Sequence, residues 1–300
     1  MRASGTATSA TGAAMGPTRI TGRTGATGST GAMSAMAAIA VAVCMLAAPG
    51  VARAGRPCEE TALTADQVRN GLALAQATAE ALDKSGAQVV LLARAGQNLD
   101  EYGLRWSHVG FVYLDVDPAG KPVWRVMHKL NECGTAQADL YRQGLAEFFM
   151  DRPYRLEGAF SVLKPQLQEA LLPVLKDNAR AATLHTPAYS MLAYPWAQQY
   201  QQSNQWALET LAGAAAPGEV FNRPQAQQWL KAAGYQPTDL RISTAKRLGA
   251  RIGMANVAFD DHPSARRYSG HIDTTTADTI FQWLSRTGWG AAPTVVRAPR

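Results

Sequence analysis

Apolar positions recur at helical spacing through "TADQVRNGLALAQATAEALDKSG", residues 64–86, where Thr64 and Gln67 have the spacing of a capping box and Gly86 is the stop. The period then shortens. "AQVVLLARAG" is a compact apolar run of strand length, and "SHVGFVYLDV", "DPAGK" and "PVWRVMHKLN" read as strand, turn and strand of a β-hairpin. "AQADLYRQGLAEFFMD", residues 136–151, reads as a helix. "LEGAFSVLK" is a strand leading into the helix "PQLQEALLPVLKDN". After the irregular stretch "TPAYSMLAYPWAQQYQQ" come helices at "SNQWALETLAGAA" and "RPQAQQWLKAAGY". A short strand "TDLRI", a helix "STAKRLGARIG" and a terminal helix near "TADTIFQWLSRTG" complete the pattern. Helices before, within and after a small hairpin-built sheet give an α+β fold, an antiparallel sheet with packed helices, in a single domain over residues 55–300.

Within the hairpin the alternation carries chemical information. Trp124, Val126, His128 and Leu130 share one face of the second strand, and His108, Gly110 and Val112 share one face of the first. Pairing Asp117 with Lys121 puts His128 opposite Gly110 and makes His108 its diagonal neighbour. A register shift of one residue would separate them. Two histidines on one face suit a base with its orienting residue, a metal pair, or packing. Metal is the weakest reading, because no third ligand stands at a characteristic spacing and "FDDHP" at 259–263 has a loop's composition. The expected site has neither metal nor cofactor.

The first 54 of the 300 residues differ from the rest. They contain four arginines, no acidic residue, and a Gly/Thr/Ala/Ser-rich stretch unable to build a core. An apolar run from Met36 to Ala48 then leads to Ala52-Arg53-Ala54, a signal-peptide pattern with cleavage expected after Ala54. That run is too short for a membrane span, and no later run approaches span length. Because four of the 29 basic residues and none of the 23 acidic ones fall in this leader, the remainder carries about +2. No long basic block points to nucleic acid. Export to the periplasm is the expectation, with an envelope peptide, glycan or lipid as the expected partner. Cys58 and Cys133 are the two cysteines left after the leader, an even pair that reads as a disulfide in an oxidising compartment.

"SHVGF" followed much later by "YQQSNQWALE" resembles the permuted papain-like folds, namely the NlpC-type amidases and lecithin:retinol acyltransferase-like proteins. "YGLRWSHVGF", "LNECGT", "YSMLAYPWAQQYQQSNQWALE" and "NVAFDDHP" resemble an uncharacterised family of periplasmic bacterial proteins. The papain-like resemblance implies His108 as general base, His128 as its orienting residue, and Ser203 where a nucleophilic cysteine would open a helix, with Gln205 two positions on. Serine is the departure from that pattern. Its hydroxyl needs a base during attack, whereas a thiol ionises readily. Ser203 is equally a helix N-cap. Tyr189, Tyr194 and Trp196 precede that helix and could border a cleft as substrate-binding residues, with Gln205, or simply pack. Two functions therefore stand: an envelope amide or ester hydrolase or acyltransferase, and a binding module using the same cleft without turnover.

The cysteine reading has a direct check. Mass spectrometry of the unreduced, exported chain is expected to show Cys58 linked to Cys133, and two free thiols would refute the pairing.

Overall fold

The computed structural model of the chain describes residues 62–298. The expected leader, its cleavage site and Cys58 lie outside these residues, and so does the test of the Cys58–Cys133 pairing. Helix α1 (Ala65–Ser85) begins with the anticipated capping box, Thr64 and Gln67 exchanging side-chain and backbone bonds. It stops at Gly86, whose φ of 67° is the left-handed conformation that glycine adopts without a Cβ clash.

Six strands form one antiparallel sheet in the order β4-β3-β2-β1-β5-β8. They are β1 (Val89–Arg94), β2 (His108–Val116), β3 (Pro122–Asn131), β4 (Ala138–Gly144), β5 (Glu157–Val162) and β8 (Thr294–Arg297). The central hairpin has the register that puts His128 across from Gly110. Phe111 pairs with Met127, Val112 with Val126, and the Asp117 N–H donates to the Lys121 carbonyl at 2.8 Å. Gly110 is required here, because a Cβ would lie 2.8 Å from Val126 Cγ1 and 3.1 Å from His128 Cβ.

The expected helix over 136–151 is not formed as one element. Residues 138–144 are the strand β4, and only Leu145–Phe149 are helical, as α2. The physical reason is the open edge of β3. Every residue of β4 pairs with one of Arg125–Asn131, satisfying a row of backbone groups that a helix would have left bare. Leu140 then packs into the core, and Arg142 Nε donates to the Tyr113 hydroxyl at 2.5 Å.

The other helices are α3 (Pro165–Lys176), α4 (Asn178–Ala182), α5 (Ser203–Ala215), α6 (Arg223–Ala232), α7 (Thr244–Gly253), α8 (Ser264–Tyr268) and α9 (Ala277–Thr287). A separate two-stranded sheet joins β6 (Thr238–Arg241) to β7 (His271–Thr274). No helix among the described residues is long and apolar enough to cross a membrane.

The six-stranded sheet has a core on each side. Val90, Leu92, Val112 and Val126 pack under α1 and α2 with Leu74, Leu82, Phe148 and Phe149. Leu91, Phe111, Tyr113 and Met127 pack on the other side against Leu171 of α3, Trp206 and Leu211 of α5, and Trp283 of α9. This second side also buries a charge. Glu209 of α5 is fully buried and accepts from Arg223 Nε at 2.8 Å, Gln227 Nε2 at 2.8 Å, Gln201 Nε2 at 2.5 Å and Gln205 Nε2 at 3.2 Å. Removing one member of such a pair leaves the other as an uncompensated buried charge, at a cost of about 3–5 kcal/mol. Urea denaturation of Arg223→Ala is therefore expected to show a loss of that size. A loss under about 1 kcal/mol, the value of an exposed pair, would contradict it.

Candidate functional site

The β2–β3 ladder does not run to the end of the sheet. Its last pair is Phe111 with Met127, and beyond it the Val109 N–H donates to Asn204 Oδ1 at 3.0 Å instead of to β3. Asn204 Nδ2 also reaches the Ser107 carbonyl, at 3.5 Å. The first turn of α5 is thereby wedged at the splayed strand ends, with one side-chain amide standing in for the missing ladder bonds.

His108 and His128 meet on the α1–α2 side of this opening. His108 Nε2 and His128 Nδ1 are 2.9 Å apart, and His128 Nε2 lies 2.9 Å from Gln143 Oε1. The Gln143 carbonyl accepts, so His128 carries its proton on Nε2 and presents a lone pair at Nδ1. His108 then donates through Nε2 and keeps a lone pair at Nδ1, and the residue lines the cavity. Gln143 thus sets both tautomers. It sits on β4, two residues beyond Tyr141, the partner of His128, and so shares the His128 face. Sequence reasoning missed it because residues 136–151 read as a helix. Treating 138–144 as a strand with alternating Asp139, Tyr141 and Gln143 would have found it.

Both imidazoles are held neutral. Burial, then the Arg94 guanidinium, push His108 well below its usual value, with His128 adding to the effect. The same burial and Arg94 push His128 down to about 3, against a small opposing contribution from Gln143. Arg94 lies beside His108 across the β1–β2 pair, stacks 4.8 Å over the Phe148 ring, and donates to Asp151 and to the Phe148 carbonyl.

One cavity of about 1130 Å³ runs past this chain of side chains and past the start of α5. His108, Gln143, Tyr189, Gln202, Ser203 and Asn204 all line it. Ser203 is the first residue of α5. The N-cap position belongs to Gln202, which makes no side-chain cap bond, so the expected capping role of Ser203 is not seen. Tyr189 lies beside Ser203, and no hydrogen bond among the described residues joins the Ser203 hydroxyl to His108. The two residues belong to opposite sides of the sheet, His108 with Phe148 and α5 with Phe111, and share only the opening at its end.

Three other expected residues lie away from the cavity. Gln205 is buried in the Glu209 network, where a helix residue four positions before a buried carboxylate is drawn inward. Trp196 packs against Tyr235 and under Lys231, and Tyr194 packs on His262. His262 of the "FDDHP" stretch is itself buried, bonded to Asp261 at 2.8 Å and to the Asp273 carbonyl at 3.0 Å, which ties this loop to β7. No cluster of three or more His, Cys, Asp or Glu residues suited to a metal ion occurs among the described residues.

On the other side of the sheet Lys129 anchors the segment that carries Tyr189. Its Nζ donates to the Thr186 carbonyl at 2.6 Å and to the carbonyl and side chain of Gln201 at 2.8 and 2.9 Å. Burial, then Arg223, lower its pKa to about 7.

The fold and site define an α+β protein with a paired-imidazole cavity at the open end of an antiparallel sheet. The chain belongs to the family described as "Uncharacterized protein conserved in bacteria" (DUF2145), which matches residues 81–284 and so takes in every element from β1 to β7, most of α9 and the whole histidine chain. No curated protein and no solved structure matches it.

The neutral imidazoles give stability a defined pH dependence. Their folded-state pKa values lie below 6.5, so the unfolded chain takes up protons first as pH falls. Stability is then lost from about pH 6.5 downward, at about 1.4 kcal/mol per pH unit for each histidine. Urea denaturation between pH 7.5 and 5 is expected to show this slope, reduced by one histidine's share in His128→Gln. An unchanged slope in that variant would mean that His128 is not held neutral.

Proposed function

We propose that this is an exported envelope protein whose cavity binds a ligand through His108 and the first turn of α5, without turnover. The observation that carries this reading is the separation of Ser203 from His108. No hydrogen bond among the described residues joins the two, they belong to opposite sides of the sheet, and the imidazole that would serve as base is pushed well below its usual pKa by burial. A base so weak contributes little driving force to proton removal from an alcohol. The same groups suit binding. Gln202 provides no side-chain cap, so the early N–H groups of α5 are available to a carbonyl or carboxylate, and the His108 Nδ1 lone pair accepts from a ligand donor.

Acyl transfer is the second reading. It is favoured by His108, whose Nε2 is fixed by a second polar residue while Nδ1 keeps a lone pair, and which lines the same cavity as Ser203. The order of elements, a histidine strand before a helix opening with Ser203, matches the permuted papain-like arrangement that the sequence resembles. In that mechanism Ser203 attacks the acyl carbon, His108 takes its proton, and the α5 N–H groups hold the oxyanion.

The two readings separate in one experiment. The purified chain is offered cell-wall peptides, glycan fragments and activated esters beside Ser203→Ala and His108→Ala, with binding followed calorimetrically and turnover by product release. Expected are saturable binding weakened at least tenfold in His108→Ala, little changed in Ser203→Ala, and no turnover. Turnover abolished in both variants would replace this reading with the enzyme. Binding indifferent to His108→Ala would remove the site.

A further inference from the structure

We infer that the cavity takes an amphiphile, an acyl chain whose carbonyl-bearing head lies at the His108 and Ser203 end. This deepens the binding reading above and rests on it for the placement of the head.

The argument begins with the third hydrophobic cluster of the molecule. It gathers Leu240, Ile242, Val257, Phe259 and Ile272 with partly buried Tyr102, Leu104, Met191, Leu192, Ala250 and Met254. All of these except Ile272 also line the cavity. The cluster is therefore a wall and not a filled core. Packed interiors leave few voids larger than a water molecule, so an apolar wall around space of this size calls for a guest. Lining charges such as Arg94, Glu147 and Asp151 come from the β1 and α2 end, with the histidines. Lys246 is the charged residue beside the apolar wall, and its Nζ is held by Glu101 at 2.8 Å. The cavity thus has a mainly apolar part bounded by β6, α7 and the 254–259 segment, with Asn256 as a polar lining residue there, and a polar part bounded by β2, β4 and α5; residues 274–276 also line it.

A peptide or glycan would strand its polar groups against Leu240, Ile242 and Phe259, at the cost of unmet hydrogen bonds. A hydrocarbon chain has none to lose, and its terminal carbonyl would reach the α5 N–H groups and the imidazole. The Lys246–Glu101 pair joins α7 to the turn at 100–102, and both contribute lining residues.

The test uses straight-chain fatty acids from hexanoate to palmitate, and the corresponding monoacylglycerols, titrated into the full purified chain. Affinity is expected to rise by about fourfold per added methylene until the apolar part is filled. The two series distinguish a carboxylate head from an ester head, and binding of either supports the inference. Ala250→Trp fills the wall from α7 and is expected to move the plateau to shorter chains, with its thermal melt showing that it remains folded. Affinity independent of chain length, or a plateau unmoved in a folded Ala250→Trp, would overturn the inference. Its failure is distinct from that of the binding reading. Peptide or glycan binding lost in His108→Ala without chain-length dependence would overturn the acyl ligand alone. Chain-length dependence with no effect of His108→Ala would uphold the acyl chain and remove the histidine site.

Discussion

The buried carboxylate of Glu209 is the constraint around which this structure is arranged. A charge fully removed from water must collect partners, and the chain supplies them from three places: Arg223 and Gln227 on α6, Gln205 on α5 itself, and Gln201 from the irregular segment before α5. Arg223 also donates to the carbonyls of Ala197, Gln198 and Tyr200. A stretch with no regular secondary structure is held by side-chain donors in place of a ladder. That stretch presents Tyr189 and Gln202 to the cavity, so a charge network remote from the histidines fixes one wall of the site.

A second constraint acts at the sheet end. The β2–β3 ladder stops short, and a complete ladder would have required Val109 to pair with β3. Asn204 takes over one of those bonds, which lets α5 enter at the opening. The gap that admits α5 on one side leaves room on the other for two imidazoles to meet end to end. Gly110 contributes the space that a side chain would have occupied between them. The site is thus a planned interruption of the sheet, satisfied by one amide and one pair of rings.

The electrostatics follow from the same burial. Two adjacent imidazoles and a guanidinium share a low-dielectric corner, and protonating either ring there would place like charges side by side. The rings remain neutral and act through fixed tautomers. That arrangement favours recognition by donor and acceptor over recognition by charge.

How much of this was legible beforehand depends on the range of the interactions. The capping box of α1, the turn at Asp117–Lys121, the hairpin register and the shared face of His108 and His128 all follow from neighbours close in sequence, where period and turn chemistry decide. The α+β class followed from the same patterns. β4 did not, because "ADLYRQG" lacks a strong period of its own and becomes a strand only by completing the β3 edge; Gln143 was hidden with it. Of the four-residue strands, β6 was anticipated, whereas β7 and β8 are formed by pairing with β6 and β5. Gln205, Tyr194 and Trp196 were expected at a cleft from their place in the chain, but their directions depend on Glu209, Tyr235 and His262, which are distant in sequence or buried for reasons of their own. Sequence by itself determined the hairpin and its two histidines. The separation of Ser203 from His108, the tautomers set by Gln143 and the apolar cavity wall were decided by tertiary contacts, because each depends on side chains that only folding brings into reach.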